Sequence, residues 1–491
     1  MFSIKFPPGR IASCCAFTLL AACSAGGGSS SNTDTPASSG SGATGQATVS
    51  GTVTGFGSVI VDGLRIDNRS VAAGREFDDG TIRNVELKLG QHVEIEHDGN
   101  FVASRIRVDA EIEGAVTAVN PTARTLSVLG QIVFINTDPA LGPVTLFDAP
   151  YASLANVAVS DVIEVHALIK TDAAGKVTFQ ATRIEKKLAE EENRIKGLVS
   201  ALSTGTSTFK LGDLTIDYSA ARLEPAGVTL TDGAEVKVGL PPRAAINGTA
   251  VKALVVKVKN RKGESEGKNA ELGGPISSFD PAARTMRVNG VLVDLSAASF
   301  KQNGRSLADL RTDTYVVVKG TYVAGVTGPV LKASTVVIRG VDQEKENEVE
   351  IHGTILNFKS SADFTLRGVR INASNAAIDD SCAPAVRLGN DLQVSVKGNL
   401  LPSGQVVVRK LGCEAVQDGQ SSVEREGVAG RVDAGAGTFA LTTSRDIVTV
   451  QFSAATIFRG VSATTLEGKR LEVEGTLVAG VLRAEKIALE D

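Results

Sequence analysis

From residue 48 onward, apolar and polar residues alternate in short runs of about five to eight residues. Side chains of a strand point alternately to its two faces, so a period of two indicates half-buried strands rather than helices. Turns rich in Gly, Asn and Asp separate the runs, and the runs fill almost all of the remaining chain. The pattern therefore predicts an all-β protein.

The runs recur as a three-part unit: a hairpin, a turn followed by a strand, and a closing strand. The first unit reads TVTGFGSVIVDGLRID, then LKLGQHVEIEH, then FVASRIRV. Asp62-Gly63 and Asn289-Gly290 favour two-residue primed turns, because such turns need positive φ at both positions. Five of the six hairpins place a glycine at the tip, at intervals of 67 to 82 residues: Gly63, Gly130, Gly212, Gly290 and Gly368.

Each unit supplies about five strands in 60 to 80 residues. A sheet of that size leaves two exposed edges unless it closes on itself, so each unit is predicted to form a small closed β-barrel. The predicted tandem repeats are 48–109, 110–188, 193–260, 268–340, 348–412 and 424–490.

Short charged segments lie between the units, for example KKLAEEENRIK. Charged runs of this kind are typical of solvated connectors, and we expect no further function of them. Residues 185–196 are rich in helix formers and lack Gly and Pro, so a short helix is expected there.

The first 22 residues have the order of a secretory signal: a basic start, a short apolar stretch and then small residues. Leu20-Ala21-Ala22-Cys23 resembles the lipobox of bacterial lipoproteins, which predicts that Cys23 carries lipid and anchors the exported chain to a membrane. The alternative is an ordinary signal peptide whose cleavage site precedes a cysteine. Residues 23–47 are rich in Gly and Ser and are expected to form a flexible tether. The residue after Cys23 is Ser24 and not Asp, and in this the sequence resembles lipoproteins that are sorted to the outer membrane.

Two cysteines remain after the predicted signal and anchor, Cys382 and Cys413. In an oxidising compartment such a pair is predicted to form a disulfide. Two free buried thiols are the alternative.

Length and charge narrow the possible functions. A chain of 491 residues is too long for one core, so several domains are expected. The net charge of −4 gives no basic surface for nucleic acid, which is therefore not expected as a partner. Aromatic residues make up 4% of the chain and Trp is absent, which counts against binding sites that stack sugars or bases.

The segment GTVTGFGSVIVDGLRID contains a Gly-x-Gly that could belong to a phosphate-binding loop. A dinucleotide fingerprint needs a third glycine and a following helix, whereas Ile60 stands at that third position and a strand pattern follows. The segment is therefore interpreted as a bend between strands. Gly55 and Gly57 are its two glycines.

Other chemistry-bearing residues are dispersed. The four histidines, His92, His97, His166 and His352, are interpreted as ordinary strand residues. His92 and His97 are an odd number of positions apart and so face opposite sides of a strand, which argues against a two-histidine metal site. Two acidic turns, at residues 78–80 and 379–380, lack calcium-loop spacing. We therefore predict no catalytic residue, no metal site and no cofactor.

The order of hairpin, turn-strand and closing strand in residues 48–108 is similar to the tandem-repeat family called domain of unknown function 5666, found in secreted and lipid-anchored bacterial proteins. The resemblance is weaker in the other five units; Ser160 replaces the turn glycine of the second, and Ser444-Arg445-Asp446 replaces the hairpin glycine of the sixth. The resemblance implies small barrels similar in outline to the oligonucleotide/oligosaccharide-binding (OB) barrel. It brings no catalytic residues.

These observations predict a non-enzymatic lipoprotein of the cell envelope. It would hold an extended string of about six barrels away from the membrane, for a structural or interaction role. Its partners would be the membrane, through the lipid, and an unidentified envelope protein or glycan. One alternative is a protein that binds a glycan, peptide or metal in the barrel grooves, and another is an envelope hydrolase with a site between adjacent units.

Overall fold

The computed structural model describes residues 47–489 with gaps at 69–70, 77–80, 99, 140–142, 172–176, 188–192, 243–249, 260–266, 268, 302–303, 313, 326–328, 340–347, 383–386, 415–422 and 444–445. These residues belong to one compact unit, Gly42–Asp491. The predicted signal 1–22, Cys23 and the tether up to residue 46 lie outside the described residues. So do the acidic turn at 78–80 and the Ser444-Arg445 pair.

Strands dominate the described residues and form six barrels, which confirms the all-β prediction. Barrel 1 contains β1 (Ala47–Phe56), β2 (Val59–Val61), β3 (Leu64–Ile66), β4 (Ala73–Glu76), β5 (Ile82–Asn84), β6 (His92–His97) and β7 (Ala103–Val108). Barrel 2 contains β8 (Ile112–Asn120), β9 (Thr125–Val128), β10 (Gln131–Ile135), β11 (Leu146–Phe147), β12 (Val162–Thr171) and β13 (Val177–Lys186). Barrel 3 contains β14 (Asn193–Leu198), β15 (Ser200–Ser203), β16 (Thr208–Leu211), β17 (Leu214–Asp217), β18 (Arg222–Glu224), β19 (Glu235–Leu240), β20 (Val251–Lys252) and β21 (Val255–Val258).

The second half of the chain repeats the same arrangement. Barrel 4 contains β22 (Asn269–Asp280), β23 (Thr285–Val288), β24 (Val291–Asp294), β25 (Ser299–Phe300), β26 (Tyr315–Val323) and β27 (Val330–Arg339). Barrel 5 contains β28 (Glu348–Thr354), β29 (Leu356–Ser360), β30 (Asp363–Leu366), β31 (Val369–Asn372), β32 (Ala377–Ile378), β33 (Gln393–Leu400) and β34 (Val406–Cys413). Barrel 6 contains β35 (Val423–Asp433), β36 (Thr438–Thr442), β37 (Ile447–Gln451), β38 (Ile457–Arg459), β39 (Arg470–Val478) and β40 (Val481–Leu489). Two short 3₁₀ helices, Leu154–Asn156 and Leu307–Asp309, lie in loops of barrels 2 and 4.

Barrel 2 shows how each sheet closes. Strands β8, β9 and β10 form an antiparallel meander, and β10 then pairs in parallel with β13. Strand β13 pairs with β12, and β12 returns to β8. The same closed order of first, second, third, sixth and fifth strand occurs in barrels 4 and 6. Closure removes the free edges, as predicted.

Alternate strand residues fill each barrel. In barrels 3, 5 and 6 the second hairpin strand places a fully buried phenylalanine in the interior: Phe209, Phe364 and Phe439. Leu126 and Met286 take that position in barrels 2 and 4. The apolar clusters of barrels 1 and 5 are continuous, as are those of barrels 2 and 3. The cores therefore extend across some of the joints between barrels.

Two expectations about the linkers are wrong. The described residues of the segment 185–196 are its two ends, which lie in β13 and β14 and not in a helix. Asn193–Leu198 forms a strand because it pairs with both β19 and β8. The extended string is also wrong, because barrels that are distant in sequence share sheet pairings: β1 pairs in parallel with β22 of barrel 4 and with β28 of barrel 5. Among the residues that the structure describes, no helix has the length and apolarity needed to cross a bilayer.

Candidate functional site

Barrel 1 contacts each of the other five barrels. Its first strand pairs with strands of barrels 4 and 5. Side-chain contacts reach the other three. His92 lies 3.0 Å from Glu111 of barrel 2, and ion pairs join Glu94 to Lys259 of barrel 3 at 2.5 Å and Glu86 to Lys486 of barrel 6 at 3.2 Å. The polar joints around barrel 1 are therefore the candidate functional site.

The joint of barrels 1, 2 and 3 contains a cluster of ionisable side chains that we call the central ionic cluster, made of His92, Asp109, Glu111, Lys196 and Lys237. Lys196 Nζ lies 3.0 Å from Asp109 Oδ2 and 3.3 Å from Glu111 Oε1. Lys237 Nζ lies 2.8 Å from Asp109 Oδ1. The other oxygen of Glu111 accepts the backbone N–H of Ala167 at 2.8 Å. Three barrels thus contribute to one hydrogen-bonded network.

Glu111 and Lys196 of this cluster stay charged near neutral pH. Burial alone would raise the pKa of Glu111, but the nearby His92 and Lys196 outweigh it and lower that pKa to about 2. Burial would likewise lower the pKa of Lys196, whereas Asp109 and Glu111 raise it well above its ordinary value. Groups with such pKa values neither accept nor release protons near pH 7, so Glu111 and Lys196 are suited to holding barrels together rather than to acid–base chemistry.

Ser50, His92 and Glu111 have the order of a serine hydrolase triad. Ser50 Oγ lies 2.7 Å from His92 Nε2, and His92 Nδ1 faces Glu111. A nucleophile must be reached by its substrate, whereas Ser50 is 4% exposed in the middle of β1. We therefore interpret the three residues as a structural hydrogen-bond chain.

A second set of contacts joins barrels 1 and 2. Arg183 Nη1 donates to the carbonyl of Leu89 at 2.8 Å, and Arg183 also pairs with Asp148.

Lys187, in the charged segment between barrels 2 and 3, lies 3.0 Å from the buried Glu164. The interpretation of this charged segment as a solvated connector is therefore wrong for Lys187, Arg194 and Lys196, which pair with buried carboxylates.

The Gly55-Phe56-Gly57 segment lies at the joint of barrels 1 and 5. A Cβ on Gly55 would be 2.0 Å from the carbonyl oxygen of Glu350, and one on Gly57 would be 2.4 Å from Cβ of His352. Gly57 also has a φ of 117°. The two glycines thus let β28 approach β1 closely, which explains them without a phosphate ligand.

Sequence reasoning missed the role of three of the four histidines. His92, His166 and His352 lie at joints between barrels, where His166 Nδ1 accepts the backbone N–H of His92 at 3.1 Å. Each has a glutamate two positions away on the same strand face: Glu94, Glu164 and Glu350. An outward-facing His–Glu pair on a strand is the signal that could have indicated these joints.

The five tip glycines all have positive φ, between 57° and 78°. In four of them the preceding residue also has positive φ, namely Asp62, Leu129, Asn289 and Arg367; at the fifth tip Gly212 itself takes the first position and Asp213 follows it. Ser160 keeps the positive φ of the glycine that it replaces, at 75°.

Cys382 and Cys413 form a disulfide with a sulfur–sulfur distance of 2.08 Å. Asp379 lies in the acidic turn before Cys382, and its Oδ2 is 2.6 Å from Lys410 Nζ. Within the described ranges, no group of three or more His, Cys, Asp or Glu residues is arranged to hold a metal ion.

Three segments match the family model described as "Domain of unknown function (DUF5666)": 113–185, 273–327 and 426–488. They fall in barrels 2, 4 and 6. No curated protein matches the chain. Six solved chains match it, among them Drosophila Unr CSD456, with 12% identity over 48% of this chain and 99% of that chain and a TM-score of 0.12.

Proposed function

The chain contains tandem repeats of the DUF5666 family, and we propose that it is a non-enzymatic lipoprotein of the cell envelope that serves as a structural or interaction scaffold. The supporting observation is that barrel 1 contacts all five other barrels, through polar side-chain contacts and shared sheet pairings. Buried charges are costly unless paired, so a chain that retains many of them at its joints gains from a defined arrangement of its barrels.

The proposed anchor lies close to barrel 1 in sequence. Strand β1 begins at Ala47, 24 positions after Cys23. A flexible Gly/Ser-rich segment of that length reaches on the order of 25–30 Å. A lipid on Cys23 would therefore attach the membrane to the barrel that contacts all the others. The outer membrane is the proposed location, and an envelope protein or glycan is the proposed partner.

Membrane attachment is tested by changing the cysteine. Cys23→Ser should move the protein from the membrane pellet to the supernatant and abolish incorporation of labelled palmitate. Cys15→Ser, within the signal, is the matched control and should behave like the parent. Persistence of Cys23→Ser in the membrane pellet would refute the anchor.

The scaffold role is tested separately by crosslinking. The parent and a variant with a broken joint, Gly55→Ala, are compared for the envelope components that they capture in intact cells. A scaffold should lose specific crosslinks when the joint is broken, even though the anchor is intact. Identical crosslinks for both proteins would contradict a role that depends on the arrangement of the barrels.

A further inference from the structure

His352 lies on the outer face of β28, against Gly57 of barrel 1, and its side chain is 12% exposed. Its Nδ1 is 2.7 Å from Glu414 Oε1, and its Nε2 is 2.7 Å from Glu350 Oε1. The same Nε2 contacts Nη2 of Arg65, on β3 of barrel 1. Arg65 Nη2 is also 3.3 Å from Glu350 Oε1.

These contacts cannot all be hydrogen bonds at once. Nε2 donates to Glu350 only when it carries a proton, and it accepts from Arg65 only when it does not. The imidazolium form donates to both carboxylates, which belong to barrel 5. The neutral form with its proton on Nδ1 donates to Glu414 and accepts from Arg65 of barrel 1. The two protonation states of His352 therefore have different partners in different barrels.

We propose that His352 is a proton-controlled switch at the joint of barrels 1 and 5. Neutral His352 binds Arg65 and links the two barrels. Protonated His352 binds Glu350 and Glu414, repels Arg65 and loosens the joint. The proposal concerns a response to pH and does not depend on the anchor or on the scaffold function.

The charged groups around His352 come from each element packed against it. Arg65 on β3 and Lys397 on β33 are positive; Lys397 Nζ lies 3.2 Å from Glu350 Oε2. Glu350 on β28 and Glu414 after β34 are negative. Burial lowers the pKa of His352, but the hydrogen bonds to the two carboxylates outweigh burial and raise it above its usual value, while Arg65 opposes that rise. The switch therefore operates above the usual pKa of a histidine side chain.

Linkage gives a reciprocal test. If protonation weakens the contact with Arg65, Arg65 must lower the pKa of His352 by the same factor. Titration of the full chain by ¹³C NMR of the histidine rings, with His352→Gln to assign the resonance, measures that pKa. Arg65→Gln should raise it by about half a pH unit. Arg222→Gln, an exposed arginine of barrel 3, is the control and should leave it unchanged. An equal pKa in the parent and Arg65→Gln would overturn the proposal.

Hydrogen exchange reports on the joint itself. In the parent, the amides of Gly55–Gly57 and Ile351 should exchange about threefold faster below the pKa of His352 than above it, after correction for the intrinsic exchange rate. A threefold change in rate corresponds to the shift of about half a pH unit expected for the pKa of His352. In His352→Gln the corrected rates should not change with pH. If His352→Gln retains the same pH dependence as the parent, the switch is refuted. Should His352→Gln fail to fold, His352→Asn assigns the resonance instead, and the pKa comparison with Arg65→Gln still decides.

Discussion

His92 of barrel 1 faces Glu111, at the start of barrel 2, with 3.0 Å between Nδ1 and Oε1. Glu111 is 1% exposed and also binds Lys196 of barrel 3, so this carboxylate connects three barrels. A buried carboxylate with this many partners contributes to the arrangement of the barrels as well as to the stability of its own barrel.

Removal of the Glu111 charge tests this connection. Glu111→Gln leaves Lys196 partly unpaired in a buried site, and the free energy of unfolding should fall by about 3 kcal/mol. Urea unfolding followed by circular dichroism measures the change. Glu224→Gln, in an exposed pair with Arg222, is the control and should cost less than about 1 kcal/mol. Similar losses of unfolding free energy for both variants would show that the central ionic cluster stabilises the protein no more than an exposed ion pair does.

The joint of barrels 5 and 6 should respond to pH through Glu424. This side chain is fully buried, its Oε2 accepts the backbone N–H of Arg367 at 2.9 Å, and burial raises its pKa to about 7. Between the ordinary pKa of 4.5 and about 7, the folded state keeps a proton that the unfolded chain has released. The free energy of unfolding should therefore fall as pH rises through this window.

Glu424→Gln cannot ionise and isolates that contribution. The difference in urea midpoint between the parent and Glu424→Gln should change steadily from pH 4.5 to pH 7 and level off above it. A constant difference across the same pH values would contradict a proton on Glu424.

The interior of each barrel could be predicted from the sequence because its signals are local. Alternating apolar residues such as Phe209 and Leu211 mark one face of a strand, and dipeptides such as Asn289-Gly290 mark a reversal. Leu129 and Arg367 occupy the same turn position with positive φ, although neither residue type favours it. The surrounding hairpin determines the backbone there.

The joints could not be predicted in the same way. Glu111 and Lys196 lie on outward faces, and a polar outward face looks the same in sequence whether it meets water or another barrel. Which faces meet depends on the placement of whole barrels. The expected helix at 185–196 was wrong for a related reason, because pairing of β14 with β8 and β19 outweighs helix propensity.

Gly63 should tolerate substitution poorly because of its backbone alone. Its φ is 78°, and an added Cβ would have no atom within 4 Å. Gly63→Ala should therefore lower the free energy of unfolding by about 1–2 kcal/mol through backbone conformation alone. Gly205 is equally open but lacks positive φ, and Gly205→Ala should be neutral or slightly stabilising. Thermal unfolding of the two variants compares them. Equal effects would show that positive φ is not what matters at the tip.

The disulfide should stabilise barrel 5. Cys382 and Cys413 are separated by 31 residues in sequence. Closing a loop of that size lowers the entropy of the unfolded chain and contributes about 3–4 kcal/mol. Cys382→Ser in combination with Cys413→Ser should lower the urea midpoint of the barrel 5 transition, and a reducing agent should lower that of the parent to the same value. An unchanged midpoint in the double variant would contradict this contribution.

Gly55→Ala should separate barrel 1 from barrel 5. The added Cβ would lie 2.0 Å from the carbonyl oxygen of Glu350, and a backbone atom cannot move aside as a flexible side chain can. Hydrogen exchange at Glu350 and Ile351 should therefore accelerate while the core of barrel 6 keeps its protection. Gly430→Ala is the matched control, because its Cβ would meet its nearest atom, in Glu467, at 3.8 Å. Equal exchange at Ile351 in both variants would mean that the close approach of β28 to β1 does not hold these barrels together.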